Sequence, residues 1–336
     1  MAVSRAAAVS VRWYLIALLV GVAIVGGFWW QARGALYPVL PDTTTYLEMS
    51  RSFLRHGRFE VVPYALTTPA VTSAPTALWP PLYPIAIAAL SVTGVRDLVA
   101  APLINRVCFA LLPVLLLWAL AGAAHPRRII AAAALALTAP GVLGVQFFGL
   151  SEGLTVVWLV LALGCALRTE RSAMLLLSGL CSGAAYVTRN PALAVSAAIP
   201  LWLVFDAPSR ADVPRRLLSW GLGAIVAVAP LLAYNRRLFG AIQPYAAAPS
   251  TTGLLENLRL LTVSVSSELI GARGADRWIT GTLPSALALV ALLGGAFALW
   301  RAVPRGSAGG RSVRLLLLVA ASMGRSEEHT SELQSH

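Results

Sequence analysis

The sequence predicts an all-α protein that crosses a membrane many times, and three observations carry that expectation. Charged residues make up only 12% of the 336 positions while 58% are hydrophobic, about half the charge share of a soluble domain. The basic residues, 26 in all and every one Arg, fall largely between apolar runs, where loop charges orient membrane spans. Long apolar segments recur along the chain, broken early by one mostly polar interval, 36–84. A net charge of +12 arranged in this way marks membrane orientation and not a nucleic-acid partner.

The elements follow in order. Met1–Arg12 is short and basic, and the apolar run Trp13–Trp30 is about long enough to span. It ends in Phe28-Trp29-Trp30, an aromatic belt rather than a small-residue cleavage site, so it reads as an uncleaved first span with a cytoplasmic N-terminus. A long first outer loop, 31–97, follows. Within it Thr43–His56 has helical texture through Tyr46, Met49, Phe53 and Leu54, with Asp42 as N-cap and Gly57 as C-cap. This pattern predicts an amphipathic helix lying at the membrane surface.

Leu82–Val95 is apolar but short, and Pro80-Pro81-Leu82-Tyr83-Pro84 opens it. Taken as re-entrant or interfacial, it leaves spans at 98–122, 129–147, 152–167, 172–188, 191–206, 217–234, 283–300 and from about 313. With the first, that is about nine. The loops His125–Arg128, Arg168–Arg171, Pro208–Arg216 and Arg301–Arg314 then share the cytoplasmic side with the N-terminus. Asp42, Ser151-Glu152, Thr188–Pro191 and a second long outer loop, 235–282, fall on the other side. The transmembrane domain is expected over 1–324. The last twelve residues, RSEEHTSELQSH at 325–336, look like the translation of a sequencing adapter and are expected to be non-native. The chain is accordingly expected to be incomplete at its C-terminus.

Cofactor signals are sparse. Cys108, Cys165 and Cys181 lie inside apolar runs without metal or redox spacing. There is no phosphate-binding loop, dinucleotide fingerprint or zinc pattern, so no cofactor is evident and metal dependence stays open.

Several motifs occur in a telling order: Pro41-Asp42-x-x-x-Tyr46, His56-Gly57-Arg58-Phe59, Trp79-Pro80-Pro81-Leu82-Tyr83-Pro84, and Leu150-Ser151-Glu152-Gly153-Leu154. Gly179-x-x-x-Gly183 running on to Thr188-Arg189-Asn190-Pro191 comes next, then Pro230 through Tyr234-Asn235-Arg236-Arg237 to Gly240. Together, over about residues 10–300, they resemble the GT-C superfamily of membrane glycosyltransferases, near the protein O-mannosyltransferases and lipid A aminoarabinose transferases. The resemblance implies a polyprenyl-phosphate sugar as donor and chemistry on the outer face. It implies that Asp42 is the catalytic acid of the first outer loop and Glu152 the acid of the second. Where some relatives carry two adjacent acids, this chain has Asp42-Thr43.

The chemistry also follows from the residue types. Glycosyl transfer from a lipid phosphate needs a base for the acceptor, which a carboxylate at the membrane edge supplies. It needs a cation for the departing phosphate, and Arg189 or the Arg236-Arg237 pair offers the planar fork. Tyr46, one turn after Asp42, and Tyr83 are candidates to position sugar or acceptor. Plainer roles compete: Asp42 as a helix cap, Glu152 as a dipole partner, Arg189 as an interfacial anchor, Arg236-Arg237 as headgroup contacts. Gly179 and Gly183 read as close helix packing. A flippase for polyprenyl-linked lipids or a noncatalytic scaffold are the alternative functions. The acceptor, whether protein, lipid or glycan, is not specified. An Ala- and Arg-rich, Lys-free composition points to a bacterial cytoplasmic membrane.

Overall fold

Ten α-helices and one two-stranded ribbon make up the described part of the protein. The computed structural model describes residues 9–33, 41–62, 73–77, 79–168 and 171–242. The expected spans at 283–300 and beyond 313, most of the second outer loop, and the 325–336 tail lie outside the described residues. Among the described residues, three helices are long and apolar enough to cross a membrane: α1 (Val11–Ala32), α4 (Asp97–Ala119) and α10 (Asp212–Phe239). At 1.5 Å per residue they measure about 33, 35 and 42 Å, against a hydrocarbon core of about 30 Å. They carry large apolar side chains on their outer surfaces, such as Leu19 at 67% exposure in α1 and Ile225 at 63% in α10. Such a surface fits association with lipid.

Between them lie α2 (Pro41–His56), α3 (Leu82–Val92), α5 (Pro126–Leu137), α6 (Pro140–Phe147), α7 (Glu152–Ala166), α8 (Ser172–Thr188) and α9 (Ala192–Phe205). α7, α8 and α9 match the predicted segments to within a residue or two, but at 14 to 17 residues each is shorter than a perpendicular crossing requires. Their side chains form the largest apolar cluster, in which Trp202, Ile199, Leu203 and Leu175 are almost completely buried beside Ala162, Ala166 and Ala185.

Three expectations need correction. The run 129–147 is two helices, not one span, because Pro140 lacks the amide that would continue α5 and holds Ala139 extended at φ −63°, ψ 136°. Thr138 closes α5 with its hydroxyl on the Leu135 carbonyl at 2.9 Å. α10 outruns its expected 217–234, since its polar ends remain helical until Gly240 turns left-handed at φ 73°. Asp42 is not the N-cap of α2: the helix already includes Pro41, so Asp42 stands in its first turn, where an acid is favoured by the dipole.

The apolar face of α2 is covered by protein rather than left for a membrane surface. Tyr46 and Leu47 pack with Tyr83 and Ile87 of α3 and with Ala100 and Ala101 of α4. Beyond Gly57, which is left-handed at φ 66°, strand β1 (Glu60–Val61) pairs antiparallel with β2 (Ala74–Pro75). Phe59 stacks on Phe53 at 4.9 Å between ring centres and donates its N–H to the Tyr234 hydroxyl at 3.3 Å. The first loop is thereby tied to the far end of α10.

Helices meet through glycine where the backbones come closest. A Cβ on Gly179 would run into the carbonyl of Trp220, and one on Gly223 into that of Leu176, so α8 and α10 cross through these glycines in both directions. Gly183 lies in the same seam, where its Cβ would sit 2.7 Å from that of Ala227. Gly179→Ala is therefore expected to cost about 1–3 kcal/mol through overpacking, whereas Gly221→Ala, in open space on α10, is expected to be neutral. Thermal inactivation of the two variants in detergent measures the difference; equal stability would refute the close crossing.

Candidate functional site

The helices sort two sets of polar residues to opposite ends. At one end Trp13 of α1 packs edge-on against His125 at 5.9 Å. There too Arg168, past the end of α7, donates to the carbonyls of Gly164 and Trp118 and lies 4.2 Å over the Trp118 ring. α4 carries Trp118 near its C-terminus and Asp97 at its start, about 31 Å apart along the axis. Asp97 pairs with Arg51 of α2, so α2 belongs to the other end, together with the starts of α4 and α7 and the finish of α8. Residues 125–128 and Arg168 thus share the end at which the described chain begins.

The second end holds the candidate site, and its base is the corner between α6 and α7. Asn105, fully buried in α4, donates to the carbonyls of Phe148 at 2.9 Å and Val145 at 3.3 Å, and accepts the N–H of Gly153 at 3.0 Å. Gly153 cannot carry a side chain here, since a Cβ would lie 2.5 Å from the Asn105 Oδ1. A Cβ on Gly149 would lie 2.8 Å from Thr43 Cγ2, which brings the corner against the first turn of α2. Ser151 opens α7 without capping it. Its Oγ is 3.1 Å from the Tyr46 hydroxyl instead.

The next residue, Glu152, forms an ion pair with Arg189 through Oε1 and Nη1. Arg189 follows the last residue of α8 in extended conformation, at φ −156°, and the tight turn through Asn190 and Pro191 starts α9. That turn aims Arg189 across to the start of α7. Both partners are about a quarter exposed, Arg189 at 25% and Glu152 at 26%. The Glu152 Oε2 is closed off from solvent and has no hydrogen-bond partner among the described residues.

Four of the sequence-predicted residues therefore come together. Tyr46 sits among Asp42, Glu152 and Arg189, all close enough to act on its hydroxyl electrostatically. Burial pushes that hydroxyl up to about 12, Asp42 and Glu152 add to the rise, and the Ser151 hydrogen bond and Arg189 oppose it. Tyr46 is a neutral hydrogen-bonding group at any physiological pH. Tyr83 lies beneath, edge-on to Tyr46 at 5.0 Å, with its hydroxyl donated to the Ala101 carbonyl at 2.9 Å. It holds α3 to α4. Arg236 and Arg237 are exposed in the last turn of α10, and Arg236 donates to the Gly240 carbonyl at 2.5 Å, closing its own helix. Neither belongs to the Tyr46 cluster. No group of three His, Cys, Asp or Glu comes together among the described residues.

Sequence reasoning missed Asn105, and it assigned no role to Ser151. The signal for Asn105 was present: an amide within a run that is apolar from Leu98 to Ala119 but for it and Arg106 is costly unless paired. No protein-family model, curated protein or solved structure matches the chain.

Asn105→Leu should strand the Phe148 carbonyl and the Gly153 N–H and leave the Val145 carbonyl with the Phe148 N–H alone, at about 1–3 kcal/mol for each group that finds no other partner. Thermal inactivation in detergent is expected to show a loss of that size, while Asn105→Gln recovers part of it. A Leu variant as stable as the parent would remove Asn105 from its anchoring role.

Proposed function

We propose that the chain is an integral membrane glycosyltransferase that moves a sugar from a polyprenyl-phosphate donor to an acceptor on the extracytoplasmic face. The observation that carries the reading is the meeting of two carboxylates, a partly exposed guanidinium and a tyrosine at one end of an apolar helix bundle. The end opposite holds the Arg-rich loops that positive-inside orientation assigns to the cytoplasm. The GT-C resemblance supplies the donor class, the apolar runs about nine spans, the composition a bacterial cytoplasmic membrane and the basic loops an N-terminus inside.

Each residue has a part in that reaction. The Asp42 carboxylate takes the proton of an acceptor hydroxyl as its oxygen attacks the anomeric carbon. The bond from that carbon to the phosphate oxygen breaks, and its electron pair leaves with the lipid phosphate. Arg189 meets the charge that develops there. Tyr46 keeps Asp42 and the Ser151-Glu152 corner in register through its hydroxyl and its place one turn along α2. Arg236 and Arg237 contact headgroups at the membrane edge.

Asp42→Asn is expected to lower transfer by about 10²–10⁴ while donor binding persists. Membranes supplied with radiolabelled polyprenyl-phosphate mannose or arabinose and fractionated into lipid, protein and glycan measure this. Parent-level transfer by the variant would dismiss Asp42 as base. Donor binding without transfer, even in the parent protein, would favour the flippase.

Orientation has its own test. In a background lacking the three native cysteines, Cys at Ser73 should react with an impermeant thiol reagent in intact cells. Cys at Arg210 should react only after permeabilisation. The reverse pattern would invert the proposed topology.

A further inference from the structure

The Glu152–Arg189 pair has features that a purely structural ion pair lacks. It is a quarter exposed on both sides, so it is open to an incoming group rather than sealed in a core. Glu152 uses only one oxygen on Arg189, and the other is shut from solvent without a hydrogen bond among the described residues. A carboxylate with about four acceptor sites is half used here, although a guanidinium can engage both of its oxygens. The site also holds two carboxylates, Asp42 and Glu152, around the one guanidinium among the described residues that acts on Tyr46, that of Arg189. An entering phosphate would add negative charge to a group already short of positive charge, unless one carboxylate gives way.

We propose that Glu152 occupies, in the ligand-free protein, the place on Arg189 that the phosphate of an isoprenyl phosphomonoester takes on binding. The inference rests on the reading of Arg189 as the phosphate contact. The incoming anion takes over the guanidinium, and the Glu152 carboxylate is released on the side of Tyr46 and Asp42. Ligand entry and exposure of a second carboxylate are then one event. Without the ligand, Glu152 keeps Arg189 neutralised. The partnerless Oε2 marks the strain of that arrangement: the carboxylate is held for its charge, not for a complete set of hydrogen bonds.

The test uses the full chain in nanodiscs of phosphatidylcholine, titrated with farnesyl phosphate and followed by thermophoresis. Glu152→Gln, which keeps the shape and removes the competing charge, is expected to bind about tenfold tighter than the parent, as the loss of one charge-assisted bond from the free state implies. Glu152→Asp, with a shorter reach to Arg189, should also tighten binding, by less, and guards against a Gln variant that fails to fold. Arg189→Gln should weaken binding about tenfold, and the double variant should bind no better than Arg189→Gln alone. Unchanged or weaker binding by both Glu152 variants, with Arg189→Gln still impaired, would overturn the displacement and leave the phosphate contact standing. Parent-like binding by Arg189→Gln, or no binding by the parent, would overturn the phosphate contact itself.

Discussion

The side-chain amide of Asn105 is the constraint on which the candidate site depends. It serves three backbone groups of the Val145–Gly153 stretch from a position inside an apolar helix. Between a broken-off helix and a new one, the Phe148 carbonyl and the Gly153 N–H have no helical partner, and the Val145 carbonyl has only the Phe148 N–H at 3.3 Å. In a wet loop, water would satisfy them at little cost. Beside lipid each one left unpaired is expensive, so the corner has one stable arrangement, the one centred on Asn105. Gly153 and Gly149 exist for the same reason, since a side chain at either would push the corner away from α4 or α2. Glu152 inherits its position from this arrangement.

Two arginines show how partner chemistry separates structure from function. Arg168 directs its guanidinium to two carbonyls and a tryptophan ring, all belonging to helix ends that it ties together. Carbonyls and an indole satisfy its donors without cancelling its charge. Arg189 instead faces a carboxylate across two helix termini. The acid lies in the first turn of α7 and the arginine just past the end of α8, so each stands where its helix dipole favours its charge. The dipoles stabilise both ions separately. The pair does not need to stay closed for its members to remain in place.

The apolar pattern made most of the helix frame legible, because hydropathy and helix length are local properties. α1, α7, α8 and α9 were readable to within a few residues, as was the packing role of Gly179 and Gly183. Hydropathy does not register a break inside an apolar run. The division at Thr138-Ala139-Pro140 was visible only in the single proline and was passed over. At the site, Asp42, Tyr46, Glu152 and Arg189 stood out because charge and aromatic hydroxyls at span ends are conspicuous. Their grouping was not legible, since it depends on which helix ends meet in space. Tyr83 looked like Tyr46 in sequence, and only the Ala101 carbonyl distinguishes its place.

The burial of α2 changes what the first outer loop is. An amphipathic helix afloat on a bilayer would let Asp42 wander, which the proposed role of a base that meets a reacting proton does not allow. Here Leu47 and Met49 are buried with Tyr46, and Arg51 pairs with Asp97 at the start of α4. The ribbon that follows is held to α10 through Phe59 and Tyr234. Three anchors on different helices therefore fix one helix, and with it the place of Asp42. In the proposed reaction the acceptor comes past the exposed side of α2, because the inner side is filled by Tyr46 and Tyr83.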